Sequence, residues 1–173
     1  MKMLRATSLS IAGGLFLFGA GSVRADDCAL ALAASIAQAK TPRADTHETA
    51  MPGKPVEKIE MIFLTDKVYV QINGAWRSMA FSPQRQIDMA EAASKRAEKA
   101  PHSCQKVAGD AIDGEATSLL IAHTEMDGKT SDARLWISEK TGMPLKSEVR
   151  LSSGATVTDT FRYGDIQPPP GVK

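Results

Sequence analysis

The sequence predicts an α+β fold, a curved antiparallel β-sheet of about seven to nine strands covered by two helices. Three observations predict it. Residues 134–163 read as three alternating strands joined at Thr141-Gly142 and Ser153-Gly154. Residues 57–81 read as a second meander turning at Thr65-Asp66 and Asn73-Gly74. Two stretches rich in alanine, 29–40 and 84–100, carry helical rather than alternating spacing. A side-chain period of two with one polar face marks a sheet with one dry and one wet side, and glycine after a polar residue suits the backbone of tight hairpins.

The elements follow in order. Ala29 to Lys40 is built of strong helix formers, with Asp26 or Asp27 available as a cap and Pro42 as a stop. Arg43 to Thr49 alternates weakly and forms a first strand, closed by the break Met51-Pro-Gly-Lys-Pro55. From Glu57 to Leu64, Ile59, Met61 and Phe63 share a face, while Ile62 and Leu64 make the other face partly apolar, so something covers it. Val68, Val70 and Ile72 alternate with Lys67, Tyr69 and Gln71, and Asn73-Gly74 leads into residues 75–81. Ser82-Pro83 then pairs a capping residue with proline at the first helical position. The helix runs to Ala100 with a narrow stripe of Ile87, Ala90, Ala93 (or Ser94) and Ala97, which fits close packing against a sheet. A hairpin follows, residues 105–112 and 115–126 about Asp113-Gly114, and Asp127-Gly128 turns into residues 130–138. In the final meander Leu135 and Ile137 oppose Trp136, Val149 opposes Lys146 and Glu148, and Phe161 opposes Thr160 and Arg162.

The N-terminus sets the compartment. Lys2 and Arg5 precede the apolar run 9–20, and Val23 and Ala25 are small residues at −3 and −1 of a cut after Ala25. This is the layout of a signal peptide over residues 1–25, too short for a stable span, and it directs the chain to the periplasm. Residues 26–167 then form a single domain, with 168–173 a flexible C-terminal tail. Asp26-Asp27 before Cys28 argue against acylation there. Three of the 21 basic residues, Lys2, Arg5 and Arg24, leave with the leader, so the mature chain has a net charge of −2 against its 20 acidic residues. Neither nucleic acid nor an anionic membrane surface is an expected main partner. In an oxidising compartment Cys28 and Cys104 default to a disulfide, the alternatives being free thiols or part of a metal pair.

Catalytic signals are weak. His47-Glu48 and His123 with Glu125 fit no metal-ligand spacing, and no serine sits in a Gly-x-Ser-x-Gly elbow. No glycine-rich phosphate loop is present, so neither an enzyme nor a cofactor or metal site is expected. The apolar residues say more. A twisted sheet of this size under two helices curls and encloses a concave face. Met61, Phe63, Val68, Val70, Leu135, Ile137, Val149 and Phe161 form its wall, either as plain core beneath the helices or partly open to an elongated apolar ligand. Met61, Met79 and Met89 suit such a ligand, because thioether chains adapt to irregular guests.

The segment Leu135-Trp-Ile-Ser-Glu-Lys-Thr-Gly-Met-Pro-Leu-Lys-Ser-Glu148, closing with Phe161-Arg-Tyr-Gly-Asp-Ile166, resembles the penultimate hairpins of the outer-membrane lipoprotein carrier (LolA/LolB-like) superfamily. The order helix, meander, helix, longer meander resembles it too. Ser138 stands where that superfamily often has Asp, and the mature chain is short beside the carriers, as a divergent member would be. The resemblance implies an unclosed half-barrel binding an acyl chain or other hydrophobic ligand in the periplasm, as carrier or sensor. The alternative is an envelope protein–protein interaction module with no small-molecule ligand.

Overall fold

The structure is a computed structural model that describes residues 25–126 and 128–172, so the expected leader lies outside the described residues apart from Ala25. Alanine and leucine build the first helix, α1 (Ala25–Ala39). Asp27 does not cap it. The helix starts two residues earlier, and the Asp27 carboxylate instead accepts the backbone N–H of Lys106 at 3.0 Å. After Pro42 come β1 (Arg43–Ala50), β2 (Glu57–Phe63), β3 (Lys67–Ile72) and β4 (Ala75–Ala80). The second helix, α2 (Pro83–Ala97), begins as its sequence dictates, with the Ser82 hydroxyl accepting the N–H of Arg85. It is one turn shorter than the alanine stripe implied.

The second meander comprises β5 (His102–Ala108), β6 (Thr117–Met126), β7 (Lys129–Ser138), β8 (Pro144–Leu151) and β9 (Thr156–Arg162). All nine strands join one antiparallel sheet in the order β4-β3-β2-β1-β9-β8-β7-β6-β5. β1 is the seam. It pairs with β2 on one side and β9 on the other, fusing the two meanders while β4 and β5 stay unjoined at the edges.

The turns obey local chemistry. Asn73 (φ 52°) with Gly74 (φ 78°), and Asp113 (φ 49°) with Gly114 (φ 80°), both place two successive residues in the left-handed region that tight hairpins require. The long hairpin departs from its expected form: β5 ends at Ala108, and the arm resumes only as a bridge between Ile112 and Glu115. Gly109 still donates to the Thr117 carbonyl, while the Thr117 hydroxyl lies where a Cβ of residue 109 would be and donates to the Asp110 carbonyl. At the β7–β8 turn the buried Ser138 hydroxyl donates to the Glu115 carboxylate and accepts from the backbone N–H groups of Lys140 and Thr141. It thus organises the turn as an Asp there would.

Both helices lie on one face of the sheet, termed inner here. α1 touches β5, β6 and β8, whereas α2 packs on α1 rather than flat on the strands. Small alanine side chains allow that close helix–helix approach, and this corrects the expectation that the second helix lies directly on the sheet. A disulfide between Cys28 and Cys104, with Cα atoms 5.3 Å apart, pins the start of α1 to β5.

Candidate ligand-binding site

Strand register decides which residues share the inner face. Arg43 on that face pairs with Phe63, Asp45 with Met61 and with Phe161, and those two β2 residues continue to Val68 and Val70. Across the sheet Val157, Val149 and Ala133 align in one row, Leu120 pairs with Leu135, and Ser118 with Ile137. All eight residues expected to wall the concavity therefore lie on the inner face. Trp136 lies on the outer one, between Leu119 and Lys146, whose ammonium sits 4.9 Å from the ring centroid.

Sharing a face does not place them in one pocket. Phe63 is locked by an edge contact with Phe81 (ring centroids 5.2 Å apart) and by the Arg43 guanidinium 3.9 Å above its ring. Val68 is buried beside it. Met79 and Met89 are 54% and 64% exposed. The enclosed apolar space lies elsewhere, as a half-open cavity of about 580 Å³ between the two helices and the inner face of β5 and β6. Leu32, Ala31, Ala90, Ala93, Ala97 and Ala122 supply its apolar lining, with Glu98, His102 and Thr124 also bordering it. A second, smaller cleft of about 410 Å³ takes in Phe161 and Leu145 together with Met143, Ile112 and Tyr163. Of this lining, Ala90, Ala93 and Ala97 were visible in the sequence as the stripe of the second helix. That the space between them would stay open follows only from α2 resting on α1.

A polar cluster at the seam carried no sequence signal beyond weak alternation. Arg43 and Asp45 are both buried, with Nε 3.0 Å from Oδ2. The guanidinium also donates to the Gln38 carbonyl of α1 at 3.0 Å and to Gln86 of α2 at 3.5 Å. Among the described residues Oδ1 of Asp45 has no hydrogen-bond partner. Burial pushes the Asp45 carboxyl up to about 6 against the opposing pull of Arg43, and nearby Asp159 adds to the rise. Tyr163 donates to the Pro144 carbonyl at 2.7 Å and accepts from Gln38, and burial raises its phenol to about 12.

Next along the inner face, His47 Nδ1 meets Asp159 at 2.7 Å and Nε2 meets the Thr49 hydroxyl at 3.2 Å, while Ser147 donates to Asp159 at 3.0 Å. Hydroxyl, imidazole and carboxylate stand in the order of a nucleophilic triad. The setting does not support that chemistry. β1 is paired on both sides through Thr49, so the N–H groups around it are committed to the ladder and none is aimed at a developing oxyanion. The cluster is a cross-strand hydrogen-bond network. Among the described residues no group of three or more His, Cys, Asp or Glu is arranged to hold a metal ion, and no helix is long and apolar enough to cross a membrane.

No protein-family model and no curated protein sequence matches the chain. Solved structures do. MucB in complex with MucA(peri) superimposes with a TM-score of 0.53 at 16% identity, over 84% of this chain and 60% of MucB. LprF from Mycobacterium bovis gives 0.47 at 14% identity, over 88% and 98% of the two chains. A LolA superfamily protein from Nitrosomonas europaea gives 0.30 at 11%, over 86% and 96%. Of these three, the MucB superposition exceeds 0.5, and at such identity it speaks for the fold alone. The open nine-stranded sheet with two helices on its inner face shares its fold with MucB.

Proposed function

We propose that this chain is a non-enzymatic, exported envelope protein that holds an elongated apolar ligand, such as an acyl chain, between its helices and the inner face of its half-barrel. The supporting observation is the cavity of about 580 Å³ lined by Leu32 and alanines. That volume falls within the range of small-molecule sites, which are concave, mostly apolar and furnished with a few polar groups. Ten methylenes buried there would contribute about 8 kcal/mol, the equivalent of a micromolar constant before the cost of ordering the chain is subtracted. Glu98, His102 and Thr124 at its border are the polar groups available to a ligand's head. Export rests on the leader, with cleavage after Ala25 leaving a mature chain that begins at the foot of α1.

Displacement of a fluorescent fatty acid from the purified mature chain tests this reading, with native mass spectrometry of protein taken from its own envelope as a second readout. Saturable displacement and a copurified lipid are expected. A mature chain that neither binds the probe nor carries any lipid would refute it. A protein partner is the second reading, favoured by MucB, the structure superimposing at 0.53, having been solved as a complex with MucA(peri). The same native spectra would reveal that partner as a heavier complex without lipid.

A further inference from the structure

The outer face of β1–β4 carries apolar and aromatic residues that a wet face would not. Ala44 aligns with Ile62, Ile62 with Tyr69, and Trp76 pairs with Gln71 one step along. Tyr69 is only 4% exposed although both helices lie on the opposite face. The C-terminal segment lies over part of this face. Gly164 (φ 113°) turns the backbone after β9, Gln167-Pro168-Pro169-Pro170 runs back across this face with Pro169 buried, and Gly171 (φ 80°) ends the strap. A cleft of about 590 Å³ remains, walled by Ala44, Ile62, Trp76 and Thr160 on the sheet side and by Gln167 to Pro170 on the other, with the charged Glu60, Asp113 and Arg162 also at its border.

Two features define what such a surface accepts. Each of Gln167, Pro168 and Pro169 precedes a proline, which confines it to extended or polyproline II backbone. Among the described residues no backbone–backbone hydrogen bond ties Gln167 to Val172 to the sheet. A rigid proline segment laid beside a tryptophan, here Trp76, without main-chain pairing is the chemistry of polyproline recognition. We infer that this outer groove is a recognition site for a proline-rich segment of a partner protein, and that the chain's own Gln167–Pro170 strap is its resident occupant. The glycines at either end of the strap let it leave without moving β9. A tethered strap competes at an effective concentration of about millimolar, which would weaken a partner peptide of ~100 μM affinity by about tenfold.

The test uses the mature chain and a fluorescently labelled peptide Gln-Pro-Pro-Pro-Gly-Val, read by anisotropy. The chain with Pro168, Pro169 and Pro170 each changed to Gly is expected to bind this peptide about tenfold more tightly than the unaltered chain. Trp76→Ala added to that variant is expected to abolish the gain. If the triple change unfolds the protein by circular dichroism, Pro169→Gly alone is read the same way. Binding no tighter in the folded, strap-loosened variant, or binding unaffected by Trp76→Ala, overturns the inference. So does equal binding of a control peptide with its three prolines replaced by glycine. None of these readouts depends on acyl-chain binding at the inner face.

Discussion

Arg43→Met probes the charge pair buried at the seam of the sheet. It removes the guanidinium that faces Asp45 at 3.0 Å yet keeps a long apolar chain over the Phe63 ring. At pH 7.5 the change strands a buried carboxylate without its counter-ion, a defect that costs about 3–5 kcal/mol. For a domain of this size that is a fall of about 9–15 °C in Tm. The defect should fade in acid. Asp45 stands at about 6 even with Arg43 beside it, because burial outweighs the cation, and losing the cation moves it higher. At pH 5 the variant therefore folds with a neutral Asp45, and its deficit should shrink to less than about half. The unaltered chain obeys the same linkage. A carboxyl whose folded value lies above its unfolded one stabilises fully below about pH 4 and loses that contribution as pH rises through about 6, about 3 kcal/mol in all. Comparison with Asp45→Asn isolates this group from other carboxylates. Thermal melts followed by circular dichroism at pH 5 and 7.5 give the answer. An equal fall in Tm at both values would refute the reasoning. Combining Arg43→Met with Asp45→Leu should recover most of the loss, because neither charge is then buried.

Other outcomes follow from single contacts. Replacing Cys28 and Cys104 by serine opens a loop of 76 residues and should lower Tm by about 8–15 °C, taking about 4 kcal/mol from loop entropy; two reactive thiols in the unreduced native protein would contradict the bond itself. Gly109→Ala should cost about 1–3 kcal/mol, measured by urea denaturation, because the new methyl meets Thr117 side chain and backbone in a packed hairpin. Tyr163→Phe leaves the Pro144 carbonyl and Gln38 amide without their shared partner and should cost about 1 kcal/mol by the same assay.

Much of this fold was written in local sequence. Asn73-Gly74, Ser82-Pro83 and the period-two runs about Leu135 and Val149 specify their turns, cap and faces through neighbours a few residues away. What local pattern cannot encode is long-range partnership. Arg43 to Ala50 reads as a weak strand because its alternate residues are Arg43, Asp45 and His47, and these make sense only once Asp159, Tyr163, Gln38 and Gln86 are brought against them. The partly apolar outer face of β2 was legible as a face needing cover, whereas the cover comes from prolines some hundred residues later. Likewise the alanine stripe of the second helix announced close packing. The sequence could not say that this helix would choose α1 and leave a gap above β5 and β6.

That gap separates two ideas of where an apolar ligand sits. One puts it against Phe63 and the β2–β3 residues, the other between the helices and Ala122 of β6. The structure gives these positions different mechanical roles. Phe63 carries both the Phe81 edge contact and the Arg43 guanidinium, so Phe63→Asp should lose about 3–5 kcal/mol of stability, and any loss of ligand would be inseparable from loss of fold. Phe63→Leu keeps volume and polarity near enough to read binding alone. Ala122, opposite Cys104 and Ala133 in the ladder, borders the helix-side cavity, so Ala122→Phe adds a ring to that space. If the helix-side cavity is the site, Ala122→Phe should weaken fluorescent fatty-acid binding by roughly tenfold or more, about 1.4 kcal/mol, with Tm within about 2 °C of the parent. Phe63→Leu should then bind nearly as the parent does, and so should Lys146→Glu, whose charge changes only on the outer face beside Trp136. Unchanged binding in Ala122→Phe together with lost binding in Phe63→Leu would move the ligand to the β2–β3 side of the half-barrel.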